Sequence, residues 1–261
     1  MILAAATVTG GTQGRSRGHF VMIVVNRRVA GFAALILIAV GLAACGDSEA
    51  DQRKAFITFL DDINHRVGVH FLVPTQEDRV GFGDYMRHYT VILDFNKDMK
   101  IIFNDYTDAM KKIGIGPNSR AQTLEQMVAR RQDFPVMKEV TTKTTQAIDA
   151  RLAKVNAERG VLQQPDDLKA VYNTAFDKLI TAPVQAMIAS DKALLDLTDS
   201  SMQLADYIND HRGKVTVAGS QIRANDAKTL GEVNALIKAH QEVMKRFQDA
   251  QRAGERVTSG S

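Results

Sequence analysis

The chain has 261 residues, with 33 lysines and arginines, 30 acidic residues, 45% hydrophobic residues, five prolines, one cysteine and no tryptophan. Its formal net charge of +3 rests on Arg15, Arg17, Arg27 and Arg28, the only charged residues before Cys45; from Cys45 to Ser261 the balance is −1. That leaves no basis for nucleic-acid binding, which needs a concentrated basic face. A lone thiol excludes an internal disulfide, and the scarcity of proline suits long helices.

Arg27 and Arg28 open a basic region, Val29 to Leu42 is an uncharged apolar run of 14 residues, and the small residues Ala43 and Ala44 follow. This is the tripartite plan of a secretory signal. The run is shorter than the roughly 20 residues that span a bilayer comfortably. An uncleaved anchor helix is the alternative, and Cys45 weighs against it. Leu42-Ala43-Ala44-Cys45 resembles the lipobox of bacterial lipoproteins. The resemblance implies cleavage after Ala44 and a diacylglyceryl group, usually with a third acyl chain such as palmitate, on Cys45. One acyl chain anchors marginally, at about 0.8 kcal/mol per buried methylene, and two or more anchor stably. The membrane is thus the expected partner, reached through the lipid. By resemblance to Gram-negative lipoproteins, Gly46 after the cysteine favours the outer membrane facing the periplasm, while Asp47 weighs toward the inner membrane. Residues 1–21 fit no part of this plan. Met22 begins a signal of ordinary length, 22–44, so residues 1–21 read as a mis-assigned gene start.

The expected mature chain, 45–261, is 217 residues long, enough for one core. Residues 47–66 read as a helix through Phe56, Leu60, Ile63 and Val67. His65 to Pro74 is an apolar connection, either packed under the bundle or touching a membrane. Thr75 and Asp78 resemble a capping box. One helix, 75–113 and roughly 58 Å long, is expected from the spacing of Phe82, Tyr85, Tyr89, Ile92, Asn96, Met99, Phe103, Tyr106, Met110 and Ile113, with Gly81 and Gly83 leaving its first turns open. Gly114 to Asn118 breaks it. A helix restarts at Ser119 or Thr123, repeats Met127, Phe134, Thr141, Ile148 and Val155 at sevens, should kink or split at Pro135, and ends at Gly160. Pro165-Asp166-Asp167 opens the next, bent at Pro183 and ending at His211. Val215, Val217 and Ile222 alternate around Ala218-Gly219-Ser220, predicting a β-hairpin over 214–224. Asp226 caps a last helix, with Leu230, Ile237 and Met244 and also Val233, His240 and Phe247 repeating at sevens. The tail beyond Gln251 should fray. The fold class is all-α: an elongated bundle of long antiparallel helices with one small hairpin before the last helix.

Ala44-Cys45-Gly46-Asp47, Gln52-Arg53-Lys54-Ala55-Phe56-Ile57 and Phe59-Leu60 look like the mature start of YiaF-type lipoproteins, a Gram-negative family carrying a domain of unknown function. Asp167-Leu168-Lys169, Ala175-Phe176, Asp206-Tyr207-Ile208, Val217-Ala218 and Leu236-Ile237 are similar too. The resemblance implies an anchored helical protein; it implies no reaction and no catalytic residue.

The sequence holds no phosphate-binding loop, dinucleotide turn, zinc-protease motif or nucleophile elbow. No catalytic residue, metal ligand or cofactor is assigned. Asp61, Asp62, His65 and His70 could share a metal, but an exposed charged face with an i,i+4 pair is the simpler reading. His240 reads as a core or boundary histidine. The expected function is that of a lipid-anchored, periplasm-facing, non-enzymatic protein binding another envelope protein or the wall polymer. Val215, Val217, Gly219 and Ile222 of the hairpin and Phe71 and Leu72 of the loop are the expected contact residues. The alternative is a small-molecule or lipid carrier with a cavity along Phe82, Tyr85, Tyr89, Phe103 and Tyr106.

Overall fold

The computed structural model describes residues 48–115 and 123–260. The expected signal segment and lipobox, and residues 116–118 of the break expected at 114–118, lie outside the described residues. Helix α1 (Glu49–His65) is capped by Ser48, whose hydroxyl accepts from the Asp51 amide at 3.2 Å. Glu49 and Asp51 sit in its first turn, where the helix dipole favours acids. Phe56, Leu60 and Ile63 are fully buried. Val67, expected to extend that stripe, is 70% exposed. The chain turns extended at Arg66, so position 67 no longer lies on the helical face.

The single helix expected over 75–113 is interrupted. Helix α2 (Gln76–Phe82) starts with the capping box of Thr75 and Asp78. Gly83 then takes a φ of +52°, opening a 3-10 turn (Gly83–Tyr85) before α3 (Met86–Lys112). That backbone angle is one that favours glycine, and the end of the Gln52 side chain on α1 lies close against it. Phe82, Tyr85, Tyr89, Ile92, Met99 and Met110 are buried as expected, whereas Phe103 is 36% exposed. His88 and Phe95, off the expected seam, are buried. Helix α3 is covered on more than one side: Tyr89 meets Phe59 of α1, and Phe95 meets Arg151 further along the chain.

Helix α4 (Leu124–Ala129) begins at a capping box of Thr123 and Gln126, and α5 runs from Asp133 to Gly160. The break falls at 130–132, upstream of Pro135. Pro135 thereby sits in the first turn of α5, where its missing N–H is not needed. Of the sevenfold repeat, Met127, Thr141, Ile148 and Val155 are buried and Phe134 half-buried.

The segment expected as one bent helix is α6 (Asp166–Phe176), a π-turn (Asp177–Thr181) and α7 (Ala182–Asp210). Pro183 offers no N–H to the carbonyl of Leu179 and crowds it. A wider turn, with hydrogen bonds one residue longer, relieves both problems. Strands β1 (Val215–Ala218) and β2 (Gln221–Ala224) form the hairpin, pairing Val215 with Ala224 and Val217 with Ile222. Gly219 at the tip has a φ of +60°, as tight hairpin loops demand.

Helix α8 (Ala227–Ser259) is capped by Asp226, which accepts from the Thr229 amide at 2.8 Å. It packs mainly along α7, so only one narrow stripe is covered: Val233 is fully buried, but Leu230 is 39% exposed. The fraying expected beyond Gln251 does not occur. The helix continues to Ser259 because its end is docked: the Val69 amide donates to the Thr258 carbonyl at 2.9 Å.

Residues 47–261 form one compact unit with two apolar clusters. The larger joins α1, α2, the first half of α3, the end of α5, α6 and the start of α7. The smaller joins Met127, Leu204, Ala205, Ile208, Val215 and Val233 around the hairpin. Lys178, in the π-turn, closes the lower end of the larger cluster. Its ammonium donates to the carbonyls of Ile63 and Asn64, each at 2.9 Å, and to that of Arg66. These carbonyls end α1, where the helix itself supplies no partners. Replacing Lys178 by Met keeps the apolar stem and removes the donors; a loss of about 1–3 kcal/mol is expected in urea unfolding.

Candidate functional site

The first two helices frame an open groove. α1 and α2 touch through Phe59 and Phe82, with ring centroids 5.0 Å apart, and Phe56 meets Phe82 at 5.3 Å. Beside this contact lies a depression of about 830 Å³. Ala55, Phe59, Val80 and Phe82 give it an apolar floor, and Val80 is 66% exposed. Asp51, Asp62, Glu77, Asp78 and Lys54 stand around it. Arg66 neutralises Asp62 at 2.7 Å. Asp51 accepts the Ser48 hydroxyl at 2.6 Å, and Asp78 accepts the Thr75 amide and hydroxyl, each at 2.8 Å. These neutral donors fix the carboxylates in place without cancelling their charge. Among the described residues, Asp51, Glu77 and Asp78 have no cationic partner in an ion pair. The sequence reading missed this groove because it took α2 and α3 as one helix. Val80, two positions from Phe82 and out of phase with the seam, was the available signal.

Buried or half-buried polar groups occur elsewhere, and several have partners of their own. His88 is 1% exposed, ringed by Phe56, Tyr85 and Tyr172 at centroid distances of 6.4, 5.5 and 6.3 Å. Arg87 Nε donates to its Nε2 at 3.4 Å, and Gln164 Nε2 lies 3.2 Å from its Nδ1. Burial, with a smaller push from Arg87, lowers its pKa from 6.5 to about 4. The Tyr172 hydroxyl donates to the His88 carbonyl at 2.9 Å. Arg151 is 7% exposed in its side chain, bonds Asp98 at 2.7 Å and lies over the Phe95 ring. Asp191 accepts from the Thr145 hydroxyl at 2.9 Å, and burial raises its pKa.

The residues expected as contact sites are placed as follows. Cys45 and Ala44 lie outside the described residues. Val215 is buried, and Val217 and Ile222 are half-buried against the smaller cluster. Gly219 is pinned to α4: its amide donates to the Glu125 carboxylate at 2.9 Å, and its carbonyl accepts the Glu125 amide at 3.0 Å. Phe71 and Leu72 are half-buried on the larger cluster, and the Leu72 carbonyl accepts the Tyr89 hydroxyl at 2.8 Å. Val67 and Val73 are the apolar residues this loop leaves outside, at 70% and 73% exposure. Tyr85 and Tyr89 pack against α1, and Phe82, also packed on α1, reaches the groove. His65 Nδ1 contacts the Asp61 carbonyl of its own helix at 2.7 Å. Among the described residues, no three or more His, Cys, Asp or Glu are gathered for a metal. His240 is half-buried with Ser200 at 3.3 Å.

A family model described as "Protein of unknown function (DUF3053)" matches residues 33–255. The chain belongs to this family. The match begins within the apolar run and includes Cys45. The chain is similar to "Uncharacterized protein YiaF" of Escherichia coli K12, at 26% identity over 212 residues, covering 81% of this chain and 88% of that protein. The protein of the same description from Shigella flexneri matches to the same extent. The resemblance to YiaF-type proteins read from the sequence therefore holds. No solved structure matches the chain. Among the described residues, no helix is long and apolar enough to cross a membrane.

The buried histidine makes stability depend on pH with a definite sign. Below about pH 6.5 an unfolded chain takes up a proton that His88 refuses in the folded state until about pH 4. Stability is therefore lost as pH falls through this window, by at most about 1.4 kcal/mol per pH unit. His88→Phe should flatten the slope relative to the parent in urea titrations at pH 7, 6 and 5. Some slope should remain from His240, whose pKa burial also lowers.

Proposed function

We propose that this family member is a lipid-anchored envelope protein that faces the periplasm and acts by binding rather than catalysis. The observation that carries the reading is Leu42-Ala43-Ala44-Cys45, set between an apolar run and a polar chain whose sole thiol it contains. The start of α1 supports it: only Gly46, Asp47 and the cap Ser48 separate Cys45 from Glu49. A lipid there would hold the body against the bilayer with almost no slack. Gly46 directly after the cysteine favours the outer membrane. Binding is favoured over catalysis because the buried His88 and Arg151 and the half-buried Asp191 each have their own structural partners and do not converge.

The test is replacement of Cys45 by Ser in the full chain, expressed in a Gram-negative host. The parent should incorporate labelled palmitate, be cleaved after Ala44 and sediment with membranes. The variant should incorporate none, remain unprocessed at that site and lose its detergent-extractable lipid. Normal processing and labelling of the variant would refute the anchor.

A further inference from the structure

We propose that the groove between α1 and α2 is a docking site for a basic, amphipathic helical segment of a partner protein. The proposal deepens the binding role above and rests on it. The groove joins two features, an apolar floor and an acidic rim. Its floor is apolar, with Val80 standing largely in solvent on a seven-residue helix. Around it, Asp51, Glu77 and Asp78 outnumber the single unpaired cation Lys54, on a body whose overall charge is close to neutral. From Asp51 to Asp62 the α1 wall runs about 16 Å, three turns of a helix, which matches the anchors of a short amphipathic segment laid in a groove. A lysine- or arginine-bearing helix would place its apolar stripe on Phe59 and Val80 and its charges beside Asp51 and Glu77. A bilayer is the poorer occupant, because the same carboxylates would face lipid phosphates of like sign. The walls are preformed: capping fixes Asp51 and Asp78, and the contacts of Phe82 with Phe56 and Phe59 hold α2 against α1.

The test uses the full-length lipidated protein in phosphatidylcholine nanodiscs, with empty nanodiscs as the blank. The probes are two fluorescent 14-residue amphipathic peptides, one of leucine and lysine and one of leucine and glutamate, read by anisotropy. The lysine peptide should bind, more weakly as salt rises, and the glutamate peptide should not. Ala55→Trp, which fills the floor without changing charge, and Glu77→Lys should each weaken binding at least tenfold. Asp94→Lys, an equal charge change on an exposed part of α3, should leave it within twofold. Circular dichroism checks that each variant is folded. Equal binding of both peptides, no effect of Ala55→Trp, an equal loss with Asp94→Lys, or a signal no greater than that of empty nanodiscs would overturn the proposal. Incorporation into nanodiscs reports the anchor separately, so a failed groove and a failed anchor are distinguishable.

Discussion

The burial of Phe56, Leu60 and Ile63 along one side of α1 is the contact on which the other arrangements depend. Each side chain is at most 1% exposed, and full burial of such a residue is worth about 1.5–3 kcal/mol. Around this stripe gather the aromatics of α2 and α3, Tyr172 and Phe176 of α6, and Leu179 of the π-turn. Without it α1 would be a loose segment ahead of the bundle. With it, the segment nearest Cys45 is part of the core.

The ends of α1 are held by polar contacts of a different kind. At its start, Tyr85 donates to Glu49, and Arg53 lies 3.6 Å from Asp167. At its end, Lys178 gathers three carbonyls, and the following loop is tied by Val69 to the last turn of α8. The π-turn serves two needs: it absorbs Pro183, and it carries the lysine that closes α1. The last helix thus returns to stabilise the loop after the first, which explains why its polar tail is ordered.

Between the two apolar clusters the bundle is more polar. Thr141, Thr198 and Ser201 are buried there, and Asp191 is half-buried beside Thr145. Thr198 and Ser201 satisfy their hydroxyls on the carbonyls one turn earlier in α7, so these groups can sit inside without partners on another helix. The hairpin would be marginal alone, and it gains its stability by closing the smaller cluster with Val215 while α4 holds its tip.

Local chemistry was legible from sequence: the caps at Thr75 and Asp226, the repeat from Met127 to Val155, and the alternation that marks the hairpin all depend on residues close together in the chain. Three-dimensional packing decided the rest. Phe95 and Arg151 cover each other from distant parts of the chain, and His88 is covered by Phe56 and Tyr172 as well as by nearby Tyr85. The same holds for the hairpin and the 67–73 loop, whose apolar residues could equally have met a partner until their own bundle was seen to cover most of them. Periodicity tells which residues share a face, but only the arrangement of the other helices determines which faces are covered and which groove is left open.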